Sequence, residues 1–138
     1  MDVYSPKEDS QLLATAVEKY AKGKVLDMGT GTGLQAITAA RKKGVLSVVA
    51  ADINDEALKS AATTAAKEGL KQKIKFAKSD LFSNIKGKFD TIIFNPPYLP
   101  QDKGIVDESI YGGRQGHEIL ERFLNNCSRH LNDKGIIL

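Results

Sequence analysis

The stretch KVLDMGTGTGLQAITAARKKG (24–44) decides the fold. Its first residues, KVLDMG (24–29), read as a short buried strand, and GLQAITAARKKG (33–44) reads as a helix closed by Gly44. Between them, DMGTGTG (27–33) places glycines at 29, 31 and 33, which let the chain turn tightly and bring its backbone close to a ligand. The spacing is G-x-G-x-G; position 34 is Leu, so the dinucleotide fingerprint G-x-G-x-x-G is not met. Taken alone, these glycines fit a plain strand-to-helix turn as well as a ligand cradle.

Outward from this unit the pattern repeats. VLSVVAADI (45–53) is a β-branched strand, and NDEALKSAATTAAKEG (54–69) an alanine-rich helix with Asn54 as its cap and Gly69 as its stop. KIKFAKSD (73–80) alternates as an edge or half-buried strand does, and FDTIIFN (89–95) reads as a fully buried one. Upstream, EDSQLLATAVEKY (8–20) sets Leu12, Leu13, Ala16, Val17 and Tyr20 at helical spacing. Downstream, GHEILERFLNNCSRHL (116–131) reads as a helix with Ile119, Leu120, Phe123, Leu124, Cys127 and Leu131 on one side, and GIIL (135–138) opens a fifth strand. Strands alternating with helices predict an α/β fold, a mostly parallel sheet with helices on both faces. At 138 residues the expectation is a single domain, 1–138.

Composition narrows the class. The chain is 41% hydrophobic and 27% charged, with 20 Lys and Arg against 17 Asp and Glu for a net charge of +3. That mild basicity, without a block of like charges, gives little electrostatic reason to expect a nucleic-acid binder. A single cysteine, Cys127, excludes an internal disulfide framework and suits a reducing cytoplasm. No segment is long and apolar enough to span a membrane, and MDVYSPKEDS (1–10) is no signal peptide, so the expected location is cytoplasmic.

Ligands of parallel sheets bind at the carboxyl ends of the strands. Asp27 with Gly29, Asp52, Asp80 and Asn95 each stand at or just past the end of a different predicted strand. Asp52 is placed to accept from both hydroxyls of a ribose; a cap on the helix at 54 is the less attractive reading, because Asn54 already serves that role. Asp80 is placed to accept from an adenine amino group with Leu81 packing on the ring; a lone SD after a strand is also a common turn. The fourth strand, FDTIIFN (89–95), runs directly into NPPYLP (95–100). Pro96 and Pro97 have no N–H and stop the ladder, which leaves the Pro96 carbonyl as an unpaired acceptor beside the Asn95 amide. Such a tip holds a group that donates.

DMGTGTG, then ADIN, KSDLF and FNPPY follow in the order and spacing of class I S-adenosylmethionine-dependent methyltransferases, and the chain resembles that family over nearly its whole length. The resemblance implies a Rossmann-like fold with S-adenosyl-L-methionine as cofactor. Gly29, Gly31 and their neighbours would approach its methionine part, Asp27 would lie beneath that part, Asp52 would hold the ribose, and Asp80 with Leu81 the adenine. The family fold continues with a helix and two more strands that this chain lacks, so the sheet is expected to end in its fifth strand.

The tip then has a chemical reading. A planar NH2 group has its lone pair delocalised, and hydrogen bonds from its two N–H groups to the Asn95 side chain and the Pro96 carbonyl would hold it and stabilise the positive charge of transfer. Tyr98 can pack on its flat face. Asn95, Pro96 and Tyr98 are thus the candidate catalytic residues, and with Pro97 the candidate substrate site. Glutamine amide, adenine N6 and cytosine N4 all present such a group.

Two stretches bear on that choice. DVYSPKEDS (2–10) makes a capping box from Ser5, Pro6 and Glu8, and also resembles the VYxPxEDT opening of HemK-like release-factor glutamine methyltransferases of the short archaeal and eukaryotic branch. There the residue matching Ser10 contacts the cofactor. ESIYGGRQGHEILERF (108–123) resembles the GGxxG segment of the same family, and the polar loop before it reads either as a substrate lid or as a plain mobile connection. The family implies a class-one translation release factor as substrate, methylated on the glutamine of its Gly-Gly-Gln motif, and a small zinc-binding activator subunit as partner. The alternatives are an adenine or guanine amino methyltransferase and a shortened, non-catalytic cofactor-binding module. A base-extruding enzyme needs extra basic and aromatic surface, and the chain has no Trp and only five Phe. His117 and His130 lack a third ligand nearby, so no metal site is expected. Lys71, Lys73, Lys75 and Lys78 read as a solvated face, and Arg114 as a residue that could steer an acidic or backbone group.

Overall fold

The structure is a computed structural model, described here for residues 8–95 and 117–138. Helix α1 (Glu8–Tyr20) leads into strand β1 (Gly23–Met28), α2 (Leu34–Ala40), β2 (Val45–Asp52), α3 (Asp55–Lys67) and β3 (Ile74–Lys78). A 3-10 turn (Leu81–Asn84) precedes β4 (Phe89–Phe94), and after the undescribed stretch come α4 (Glu118–Cys127), a second 3-10 turn (Ser128–His130) and β5 (Leu131–Ile137). The sheet order is β3-β2-β1-β4-β5, with every neighbouring pair parallel. This is the expected Rossmann-like sheet, with its fifth strand at the C-terminal edge.

Alternation along β1 divides the core. Val25 faces one layer, with Val17 and Ala21 around α1 and Ala36, Ile37 and Ala40 of α2. Leu26 and Met28 face the other, with Phe89, Ile92 and Phe94 of β4 and with Phe123 and Cys127 of α4. Helices therefore cover both faces. Asp27 shares the parity of Val25, which turns it toward α2. No helix among the described residues is long and apolar enough to cross a membrane.

Several elements differ from the sequence reading. Helix α2 ends at Ala40 with Arg41 as its C-cap, so Gly44 is not its stop. In α1 the buried positions are Ser10, Ala14 and Val17, while Leu12 and Tyr20 are exposed. Polarity misled there, because Ser10 is buried through hydrogen bonds rather than apolarity. In α4 the buried residues are Phe123 and Cys127, with Leu120 and Leu124 on the exposed side. His117 is its N-cap and His130 lies beyond it in the 3-10 turn, so the two are not on one helix. Strand β5 starts at Leu131, not at Gly135. Its register slips against β4 between the Phe89–Leu131 and Thr91–Ile136 pairs, where Lys134 takes φ 63. Asn54 caps α3 as expected, its side chain accepting from Glu56 N.

Candidate active site

All five strands are parallel, so the ends of β1, β2, β3 and β4 open on one edge. The strand order reverses beside β1, the switch point at which such sheets bind ligands. The glycine turn sits there, and its three glycines do different work. Gly29 and Gly31 have φ 72 and 55, and a β-carbon on either would meet nothing nearer than 4.0 Å. Glycine is required by the backbone, and the space above both residues is open. Gly33 (φ 88) is a packing position, since a β-carbon would lie 2.8 Å from that of Ala61 in α3. The turn is also tied down. Gly29 N and Thr30 N both donate to the Ala51 carbonyl, at 2.8 and 2.9 Å, and Gly31 N donates to Asp52 Oδ2 at 2.9 Å.

Asp52 thus joins the end of β2 to the turn. Its other oxygen, Oδ1, accepts from Asn54 N at 2.9 Å and closes a local turn before α3, while Asn54 itself caps the helix. Each carboxylate oxygen has two lone-pair sites, so capacity remains for two hydroxyl donors. Asp27 is 2% exposed, and its Oδ2 accepts from Thr30 Oγ1 (2.7 Å) and Ala36 N (3.1 Å). Burial pushes its carboxyl up to about 7; the Thr30 and Ala36 hydrogen bonds oppose this, and the charge of Asp52 adds to it.

Strand β3 stops at Lys78, so Asp80 stands free of the ladder. Asp80 N donates to Ser83 Oγ at 3.1 Å, the turn geometry weighed from the sequence, while Oδ2 pairs with Arg122 Nη2 of α4 at 3.1 Å. Leu81 takes φ 51, a left-handed conformation that costs a bulky residue about 1–3 kcal/mol. Buried Ser79 stabilises it, donating to the Leu81 carbonyl at 2.5 Å and accepting from Asn84 N at 3.0 Å.

At the end of β4, Asn95 Nδ2 donates to Ser10 Oγ at 3.3 Å. Two candidate site residues 85 positions apart are thereby in contact, leaving Asn95 Oδ1 as an acceptor. Ser10 is itself held, its carbonyl accepting from Gln35 Nε2 at 2.9 Å. Beneath Asn95, Phe94 stacks on Phe123 at 4.2 Å, Phe123 meets Phe82 at 5.4 Å, and Phe82 stacks on His130 at 4.6 Å. This row of rings links the tip of β4 to the turn that carries Asp80 and Leu81. Pro96, Pro97, Tyr98, Arg114 and the glycines at 112 and 113 lie outside the described residues.

The sequence reading missed Thr30, Gln35, Ser79 and Arg122. Thr30 and Ser79 each neighbour a residue that was singled out, which is a usable signal. Gln35 and Arg122 owe their places to tertiary contacts alone. The residues assembled at this edge fit S-adenosylmethionine: an open glycine face, a carboxylate with spare acceptor capacity and a polar tip at the switch point.

Comparison with known proteins agrees with this arrangement. The chain is 42% identical over 141 residues to the "Putative protein N5-glutamine methyltransferase" of Methanocaldococcus jannaschii, covering 99% of this chain and 70% of that protein. It is 32% identical over 109 residues to the release factor glutamine methyltransferase of Agrobacterium fabrum, covering 73% of this chain and 38% of that one. It is also 32% identical over 126 residues to ribosomal RNA small subunit methyltransferase C of Escherichia coli, covering 91% and 33%. The chain thus spans less than half the length of these last two relatives. Among solved structures, the ribosomal protein L11 methylase of Lactobacillus delbrueckii subsp. bulgaricus superposes with a TM-score of 0.73 at 29% identity, covering 99% of this chain and 61% of that one. The family model for the methyltransferase small domain matches residues 3–138, and the chain belongs to that family, as an S-adenosylmethionine-dependent methyltransferase.

Proposed function

We propose that the chain methylates the side-chain amide nitrogen of glutamine, with the Gly-Gly-Gln glutamine of a class-one translation release factor as its acceptor. One observation carries the acceptor chemistry: Asn95 Nδ2 donates to Ser10 Oγ, which leaves Asn95 Oδ1 at the end of β4 to accept a substrate N–H. The names of two relatives, an N5-glutamine and a release factor glutamine methyltransferase, support the same acceptor.

The family resemblance supports the following roles. Gly29 and Gly31 would admit the methionine part of the cofactor, Asp27 would lie below it, Asp52 would take the ribose hydroxyls, and Asp80 with Leu81 the adenine. Ser10 would serve both sides, as a cofactor contact and as the support of Asn95. When bound, the cofactor supplies an electrophilic methyl group on a sulfonium. Asn95 Oδ1 and the Pro96 carbonyl would accept the two N–H groups of the amide, and Tyr98 would cover its face. Both acceptors favour the charge that develops on nitrogen, and the proton leaves afterwards to water.

A second reading, a nucleobase amino acceptor on RNA, is favoured by the equal identity to the ribosomal RNA enzyme. The Asn95→Ala variant tests the proposed tip. Cofactor binding by calorimetry should persist while glutamine methylation falls at least about a hundredfold. Retained methylation would remove Asn95 from the chemistry.

A further inference from the structure

Gln35 stands in the first turn of α2, directly after the glycine turn, and is buried at 6% exposure. Its Nε2 donates to the Ser10 carbonyl at 2.9 Å, and its Oε1 is buried with no hydrogen-bond partner among the described residues. For packing alone, an apolar side chain of the same length would serve better, because it would leave no acceptor unmet. The one bond this amide makes is therefore what the position serves. It ends on Ser10, whose Oγ accepts from Asn95 Nδ2 at 3.3 Å. Two hydrogen bonds thus connect the first turn of α2, the first turn of α1 and the end of β4.

We propose that Gln35 is a positioning residue for the acceptor end of the site: it holds Ser10 in place and so fixes where the Asn95 amide stands at the end of β4. The inference rests on the reading of Asn95 as the acceptor-binding group. Position matters because the Asn95 oxygen must lie within hydrogen-bond reach of the incoming NH2 group, and a small displacement costs rate. Gln35 touches neither acceptor nor cofactor in this role, and acts through Ser10.

The test compares the full chain with its Gln35→Met variant, which keeps the length of the side chain and removes the bond and the orphan acceptor together. The melting temperature should hold or rise. Cofactor affinity should stay within about threefold, while kcat falls roughly ten- to a hundredfold, as a small misplacement of a reacting group does. Ser10→Ala should lose a similar factor in kcat, Ser10→Thr should restore it, and the Gln35→Met/Ser10→Ala pair should lose no more than the larger single loss, since both act through one contact. The side-chain NH2 resonances of Asn95 read the same contact with no acceptor present, and should shift in Gln35→Met. If the wild type labels a nucleobase instead of glutamine, the proposed acceptor fails and the kcat comparison is made on that base. If it labels nothing, the Asn95 resonances decide. Unchanged kcat or unchanged resonances would overturn the inference, and so would a loss of cofactor affinity that accounts for the loss of rate. Should Gln35→Met fail to fold, Gln35→Leu replaces it, and failure of both makes Gln35 a folding residue and overturns the proposal.

Discussion

Burial raises the Asp27 carboxyl from 3.8 to about 7, against the pull of its two hydrogen bonds. The folded chain therefore binds a proton that the unfolded chain has released throughout the interval between those values. Stability tied to Asp27 is fully present below about 3.8, falls as the pH rises, and is gone above about 7. The whole effect is up to about 4 kcal/mol. Asp27→Asn should flatten the fall in melting temperature between pH 5 and 8; an unchanged slope would assign that fall to another group. The strand-end position of Asp27, Asp52 and Asn95 was legible, because each follows an apolar run and precedes a turn or cap. What each carboxylate touches was not. Asp52 accepts from Gly31 N, a contact set by the return of the turn over β2. Ser10 meets Asn95 across 85 residues, and no local pattern records that.

At the scale of elements, Gly33 and Gly44 were read as the turn before α2 and its stop, but α2 ends at Ala40 with Arg41 as C-cap, and Gly44 lies in the turn before β2. The structure separates them. Gly33 has φ 88 with Ala61 2.8 Å from a β-carbon, whereas a β-carbon on Gly44 would meet nothing within 4 Å. Gly33→Ala should destabilise by about 2–4 kcal/mol, combining left-handed strain with overpacking against α3. Gly44→Ala should lie within about 0.5 kcal/mol of the wild type, or gain slightly from a stiffer unfolded chain. Denaturant melts of the pair check both values; equal midpoints would contradict the packing role. Strand and helix positions were legible because alternation and caps are local signals. Helix faces were less so. Leu12 and Leu124 drew their stripes toward solvent, and burial of Ser10 rests on hydrogen bonds that hydropathy does not see.

For the whole molecule, the parallel sheet and its polar edge follow from alternating strands and helices, and that much was legible from end to end; the strand order came from the structure alone. The acceptor was not, because an Asn-Pro-Pro-Tyr tip suits any planar NH2 group and its last three residues lie outside the described part. Charge separates the candidates. A net charge of +3 without a basic block predicts an acceptor KM that changes only a few-fold between 50 and 200 mM salt, whereas phosphate-led binding at several contacts loses orders of magnitude over that range. Kinetics with the protein acceptor at the two salt concentrations check this. The most direct measurement is a single competition. The chain is given labelled S-adenosylmethionine with the release factor and the ribosomal RNA of its own source together, and mass spectrometry locates the methyl group. Label on the side-chain nitrogen of the Gly-Gly-Gln glutamine, absent with Asn95→Ala, is the predicted result; label on a nucleobase amino group, with the glutamine unmodified, would contradict it.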